Sequence, residues 1–218
     1  MRSALAVANY LLKRAQTSST PLSGDQLQSL TYFAQGLRLA LVNDALLDEV
    51  VMARRDGIFI ESLASAVGIG TRTLTGLLTR IDNAKGGMLS EVTPCLEADD
   101  PACATLDLVW SRFAAFSGYE LGLFVRSAGS PWDETWNDPE RLAAKLSTVA
   151  AQSWRDDDAN ERALVIPNSL IRRWFRSLVI QEQKDHDDAD GLEQTVHAVG
   201  MQLEKTVRIS AEKKLRSA

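Results

Sequence analysis

Apolar positions recur at helical spacing through most of the chain. Ala4, Leu5, Ala8, Leu11 and Leu12 form one stripe at i, i+3 and i+4 steps, with Ser3 placed to cap it. The stretch "TSSTPLSGD" breaks that helix. Ser23 with Gln26 then makes a capping box that opens a second one, with Leu27, Leu30, Ala34, Leu37 and Leu41 on its face. Period and flanking breakers predict shorter helices over roughly Leu46–Ala53, Phe59–Val67 and Thr71–Ile81. The turn-rich run "NAKGGMLSEVTPCLEADDPACA" reads as a long loop or insertion. Helical spacing returns in "ATLDLVWSRFAAF". Ser117 with Glu120 forms another capping box. Ser130, Pro131 and Asp133 mark a helix start, as do Asp138, Pro139 and Glu140. "IPNSLIRRWFRSLVI" predicts a further helix. After an acidic linker, Leu192, Val196, Val199, Leu203 and Thr206 make a short heptad-like stripe. No hairpin signature stands out, and no run alternates for five residues. The pattern therefore predicts an all-α fold: one compact multi-helix domain over 1–180, with a divergent insertion or loop at 70–104. An acidic linker and an additional C-terminal amphipathic helix fill 181–218.

Composition narrows the function more than the fold. The chain has 218 residues, 45% of them hydrophobic and 24% charged, as in an ordinary globular protein. No apolar run is long enough to span a bilayer and no signal-peptide pattern opens the chain, so a cytoplasmic protein with no membrane partner is expected. A net charge of −5 argues against a protein-wide nucleic-acid footprint, though not against a local basic patch. Cys95 and Cys103 have no CxxC spacing and read as free thiols, and the two histidines, His186 and His197, lie far from them. "HDDADG" fails as a calcium loop at both ends. There is no GxSxG, P-loop, HExxH or dinucleotide fingerprint. The expectation is a non-enzyme with no cofactor and no metal.

One stretch, "ESLASAVGIGTRTLTGLL" from Glu61 to Leu78, has the outline of a helix-turn-helix. Ala64 is small, Gly68 sits at the turn, and Ile69, Leu74 and Leu77 fall where two helices would pack. That reading makes the chain a DNA-binding regulator, with Arg72, Thr73 and Arg80 as contacts. Against it, Gly76 lies inside the supposed recognition helix. Of the five tryptophans, Trp110 and Trp174 share helical spacing with aliphatics and read as core. Trp132 and Trp136 flank a helix start; they would either pin a loop on the core or offer a partner an anchor.

Taken in order, "VANYLLKRA", "PLSGDQLQSLTYFAQGLRLAL" and "LLDEVVMARRDGIFIESL" resemble the amino-terminal half of the Panacea domain of SocA-like antitoxins and related prophage-associated proteins. "LDLVWSRFAAFSGYELGLFVRSAGSPWDETW" and "IPNSLIRRWF" resemble its carboxy-terminal half. The resemblance covers roughly Ala4 to Leu178. Its motif positions here are Tyr32, Phe33, Gly36, Gly57, Pro131 and Trp132, all with packing or turn roles. Gly36 would let another helix approach closely, and Gly57 would sit in a turn between two short helices. The chain departs from the family where Arg54 stands for its Trp, Ile58 for its Pro, Leu63-Ala64 for Leu-Tyr, and Ser127 or its neighbours for the histidine before "PW". The resemblance implies an antitoxin that neutralises a cognate protein toxin by direct contact, as family members do for unrelated toxins. A SocA-like member also serves as an adaptor that presents its toxin to a protease. The candidate partner contacts, taken from the divergent positions, are Arg54, Arg55, Phe59, Trp132 and Trp136. A prophage-encoded interaction module without a toxin is the remaining alternative. The last helix would fold back on the body, bind the partner or mediate self-association.

Overall fold

A computed structural model describes residues 1–67, 73–83, 89–138 and 163–183, together with Lys205, Arg208, Ile209 and Glu212. In chain order the elements are α1 (Ala4–Thr17), β1 (Leu22–Ser23), α2 (Gly24–Val42), β2 (Met52–Arg54), β3 (Gly57–Phe59) and α3 (Glu61–Val67). Then come β4 (Thr73–Leu74), β5 (Arg80–Asn83), β6 (Leu89–Val92), α4 (Ala102–Phe113), α5 (Gly118–Val125), α6 (Pro131–Trp136), β7 (Leu164–Val165) and α7 (Asn168–Gln183).

The second helix is the axis of the molecule. α2 is buried without a break from Leu27 to Leu39, polar side chains included. A helix enclosed on every side needs neighbours all round, and α1, α4, α5 and α7 supply them. Phe33 lies at the centre. Its ring meets Phe113 of α4 at 5.0 Å, Phe124 of α5 at 5.6 Å and Phe175 of α7 at 6.2 Å, each edge-on. That is the geometry aromatic quadrupoles prefer. Gly36 lies under the Phe175 ring, and a Cβ there would overlap it. Local signals set the helix ends. Ser3 caps α1, and full capping boxes open α2 at Ser23–Gln26 and α5 at Ser117–Glu120. Ser130 caps α6, which carries Pro131 in its first turn. α2 stops at Asn43 in the left-handed conformation (φ 54°).

The all-α expectation is overturned. The described residues form seven helices and seven strands, the strands lying in three small sheets. The largest has the order β3–β2–β7, antiparallel throughout, with Arg54 opposite Gly57 and Ala53 opposite both Ile58 and Leu164. β1 pairs with β4, and β5 with β6. The strands are two to four residues long, too short to display the alternation by which strands are recognised.

Three predicted segments need individual correction. Leu46–Ala53 is not helical. Leu46 and Leu47 donate their N–H groups to Gln35 Oε1 at 2.7 and 3.0 Å, Leu47 bridges to Arg2, and β2 follows. Phe59–Val67 shortens to α3, with Phe59 itself closing β3. Thr71–Ile81 contains no helix among its described residues. Thr73 pairs with Ser23, Arg80 opens β5, and both peptide groups of Leu78 are taken by Asn9. The second helix of the helix-turn-helix reading is therefore absent from the described residues 73–81. Thr73 and Arg80 sit on strands of different sheets, and Arg80 is paired with Asp82 at 2.9 Å. Gly68, Ile69 and Arg72 lie outside the described residues. So do Pro139, Glu140, the two histidines and most of the predicted C-terminal helix, of which Lys205, Arg208, Ile209 and Glu212 are helical. No helix among the described residues is long and apolar enough to cross a membrane.

Candidate functional site

The candidate site grows from the β2–β3 hairpin. Arg55 and Asp56 form its two-residue turn, and Gly57 follows at φ 145°, a conformation that favours glycine. Gly57 thus sits in a strand hairpin, which corrects its predicted place between two short helices. The Asp56–Gly57 dipeptide was the missed signal.

Two helices fasten the tip of this hairpin through its carbonyls. Trp132 of α6 donates Nε1–H to Arg54 O at 2.8 Å and to Gly57 O at 3.1 Å. From the C-terminal cap of α5, Arg126 donates a guanidinium N–H to Asp56 O. Trp132 is 7% exposed, so of the two roles open to it, it takes the one that pins a loop on the core. Trp136 stacks on it with centroids 6.1 Å apart and planes 13° from parallel, and is half-buried. Along the hairpin, the Arg54 guanidinium lies over the Phe59 ring, 4.6 Å from its centroid, a cation–π arrangement. Arg55 is exposed at the turn, while Arg54 and Phe59 are half-buried. The fold thus gathers Arg54, Arg55, Phe59, Trp132 and Trp136 from two distant segments into one corner. Four of them reach its surface and Trp132 supports it.

On its other side the hairpin borders a cleft of 320 Å³ between β3, α2 and α5. Gln28, Phe59, Gly118, Gly122, Val125 and Arg126 are among its walls. The remaining family-motif residues lie away from this corner. Tyr32 and Phe33 are fully buried. Burial pushes the Tyr32 phenol up, and its hydroxyl finds no partner among the described residues. Pro131 is buried in the first turn of α6.

The residues that sequence reading missed are buried amides and one carboxylate. Asn9 Nδ2 donates to Leu78 O and Pro94 O, both at 2.8 Å, and its Oδ1 accepts from Leu78 N–H. Gln28 bonds both peptide groups of Ile60, directly after β3. Gln35 accepts from Leu46 and Leu47 and donates to Asn168 at 3.1 Å. Glu49 accepts from Ala4 N–H and from the Ser62 hydroxyl and N–H, so it serves the first turns of α1 and α3 together. A sequence signal did exist: Gln28 and Gln35 are seven residues apart on one face of a helix rich in apolar residues.

Among the described residues no group of three or more His, Cys, Asp or Glu is arranged to hold a metal ion. Cys95 and Cys103 are free, and burial pushes the Cys103 thiol up, away from the thiolate a nucleophile needs. The corner offers a cationic and aromatic surface on a fastened support. No family model, curated protein or solved structure matches this chain.

Proposed function

We propose that this chain is an antitoxin that neutralises a cognate protein toxin by binding it at the hairpin corner. The observation that carries the reading is the fastening of the hairpin tip from two sides, by Trp132 and by Arg126. A turn held this way presents Arg54, Arg55 and Phe59 without a large ordering cost on binding. Arginine and aromatic side chains on such a support are the usual anchors of a protein interface. The ordered Panacea-like motifs supply the toxin as the kind of partner. Blocking the toxin and delivering it to a protease share this binding step, and the half-life of the toxin in cells separates them.

The test is co-expression with the product of the adjacent gene. Wild-type protein is expected to restore growth, and the triple variant R54A/R55A/F59A to fail while keeping its thermal midpoint. Each true anchor contributes about 2 kcal/mol or more to binding. Full neutralisation by the triple variant, or none by the wild type, would overturn the reading. Trp132→Ala is unsuitable here, because it loosens the hairpin itself.

A further inference from the structure

β3 is an edge strand, and the cleft runs along its open side. Ile60 has both its N–H and its C=O bonded to the side-chain amide of Gln28, at 3.0 and 3.3 Å. The peptide groups of Ile60 therefore face away from β2. The far side of β2 agrees, since Val51 O accepts from Ile166 N–H beside β7. Along a strand the direction of the peptide groups repeats every second residue. Ile58 consequently turns its N–H and C=O outward as well. Ile58 lines the cleft, and among the described residues nothing bonds to these two groups. An exposed donor–acceptor pair of this kind is what an added strand uses. The Gln28 amide already plays the part of such a strand at Ile60, one step along.

The opposite wall is bare at Gly122 of α5. Gly118, one helical turn before it, also lines the cleft but is packed on the start of α2, where a Cβ would stand 3.0 Å from Asp25 Cβ. A Cβ on Gly122 would meet nothing nearer than the Arg126 guanidinium at 3.6 Å. Phe59 and Val125 add apolar surface beside them.

We propose that the cleft takes an extended polypeptide segment of the protein partner, which pairs as an extra strand with the N–H and C=O of Ile58. The residue facing Ile58 is not proline, and an apolar side chain of the segment rests against Phe59 and Val125. This rests on the proposed function, since it names what the partner inserts beside the arginine and aromatic corner.

The test pans a random peptide library displayed on phage against the full chain, then measures the selected peptides on three proteins. Ile58→Pro removes the outward N–H without touching the bonds to β2, and an edge strand tolerates proline at such a position. Gly122→Phe fills the cleft, and its Cβ is accommodated by the fold. Peptides that bind the wild type are expected to bind both variants about tenfold more weakly or worse, and to slow exchange of the Ile58 amide hydrogen. Should Ile58→Pro not fold, Gly122→Phe and the exchange measurement decide alone. Peptides that bind all three proteins equally, no selected peptide at all, or unchanged Ile58 exchange would overturn the strand pairing. The proposed function is judged separately by growth rescue with R54A/R55A/F59A. Loss of rescue there, alongside a failed peptide test, would leave the corner and remove the cleft.

Discussion

The helices around α2 and the short strands outside them are held by different forces. Around α2 the contacts are apolar and redundant: Phe33 alone touches rings from α4, α5 and α7. The strand layer has little core of its own. Beyond the apolar residues it lends to the common core, Val51, Ala53 and Ile60 among them, it is clipped to the helices by single buried side chains, Asn9 at Leu78 and Pro94, Gln28 at Ile60 and Gln35 at Leu46 and Leu47. Apolar packing spreads its contribution over many atoms and tolerates small changes. A buried amide concentrates it in two or three bonds, and losing them strands main-chain groups away from water. The hairpin corner lies in the second region, where a few polar bonds decide whether the hairpin keeps its shape.

The largest effect is expected in the packed region. Phe33→Ala removes the ring common to three helix contacts and should cost about 3–5 kcal/mol, read by urea or thermal unfolding. Gly36→Ala goes the other way, forcing a methyl into the Phe175 ring. Overpacking of that kind costs roughly 1–3 kcal/mol, partly offset by about 1 kcal/mol of helix propensity. A loss under about 1 kcal/mol for Phe33→Ala would show that the two regions do not differ in this way.

The clips come next. Gln35→Met keeps the length and volume of the side chain but leaves the N–H groups of Leu46 and Leu47 without their acceptor. At roughly 1–2 kcal/mol for each stranded group, the variant should lose about 2–4 kcal/mol. Gln28→Met should cost less globally and act locally, speeding hydrogen exchange at Ile60 while the amides of α2 stay protected. Equal acceleration in both places would mean that hairpin and core open as one unit.

These contrasts explain what the sequence made legible. The capping boxes at Ser23–Gln26 and Ser117–Glu120 span three residues, and the Leu27–Leu30–Ala34–Leu37 face lies within one helix, so local pattern was enough. The strand layer is specified at a distance. Asn9 reaches residues 69 and 85 positions away, and Gln28 one 32 positions away. No window of sequence contains Asn9 with Leu78, or Ala53 with its β7 partner Leu164, so Leu46–Ala53 and Thr71–Ile81 kept a helical period that tertiary bonds override. The candidate site divides the same way. Its arginines and tryptophans drew notice as residue types, whereas their meeting across 78 positions depends on the Trp132–Arg54 bond.

A smaller effect tests the charged border between the regions. Arg2 holds Asp100 through Nε, at 2.9 and 2.8 Å from its two oxygens, and Asp100 also accepts from Ala102 N–H at the start of α4. Arg38 holds Asp44 at 2.8 Å. The hydrogen bond from Arg2 keeps the Asp100 carboxyl below its ordinary value of 3.8, and Arg38 does the same for Asp44. The unfolded chain therefore takes up these protons first as the solution is acidified. The stabilisation is fully present above 3.8 and is lost as pH falls through the lower folded values. Asp100→Asn should cost about 1–2 kcal/mol at neutral pH. Its deficit against the wild type should close on acidification below 3.8. A deficit that stays constant through that range would assign the effect to packing instead of charge.

The smallest effect sits where the two regions join. Glu49 Oε1 accepts from Ala4 N–H at 3.3 Å and from the Ser62 hydroxyl at 2.6 Å, and Oε2 accepts from Ser62 N–H at 3.2 Å. One carboxylate thus faces the positive ends of α1, in the packed region, and of α3, just past the hairpin. Glu49→Gln keeps the shape and one acceptor oxygen but loses the charge at both termini. Charge–dipole interactions of this kind contribute about 0.3–1 kcal/mol each and are screened by salt. The variant should therefore lose roughly 0.5–1.5 kcal/mol at low ionic strength, and the loss should shrink toward zero in concentrated salt. Gln35→Met provides the contrast, because its neutral buried bonds are insensitive to screening and its deficit should persist. If both deficits respond to salt alike, the clip at Gln35 is not a buried hydrogen bond in solution, and the division between packed core and clipped layer fails at its best-defined point.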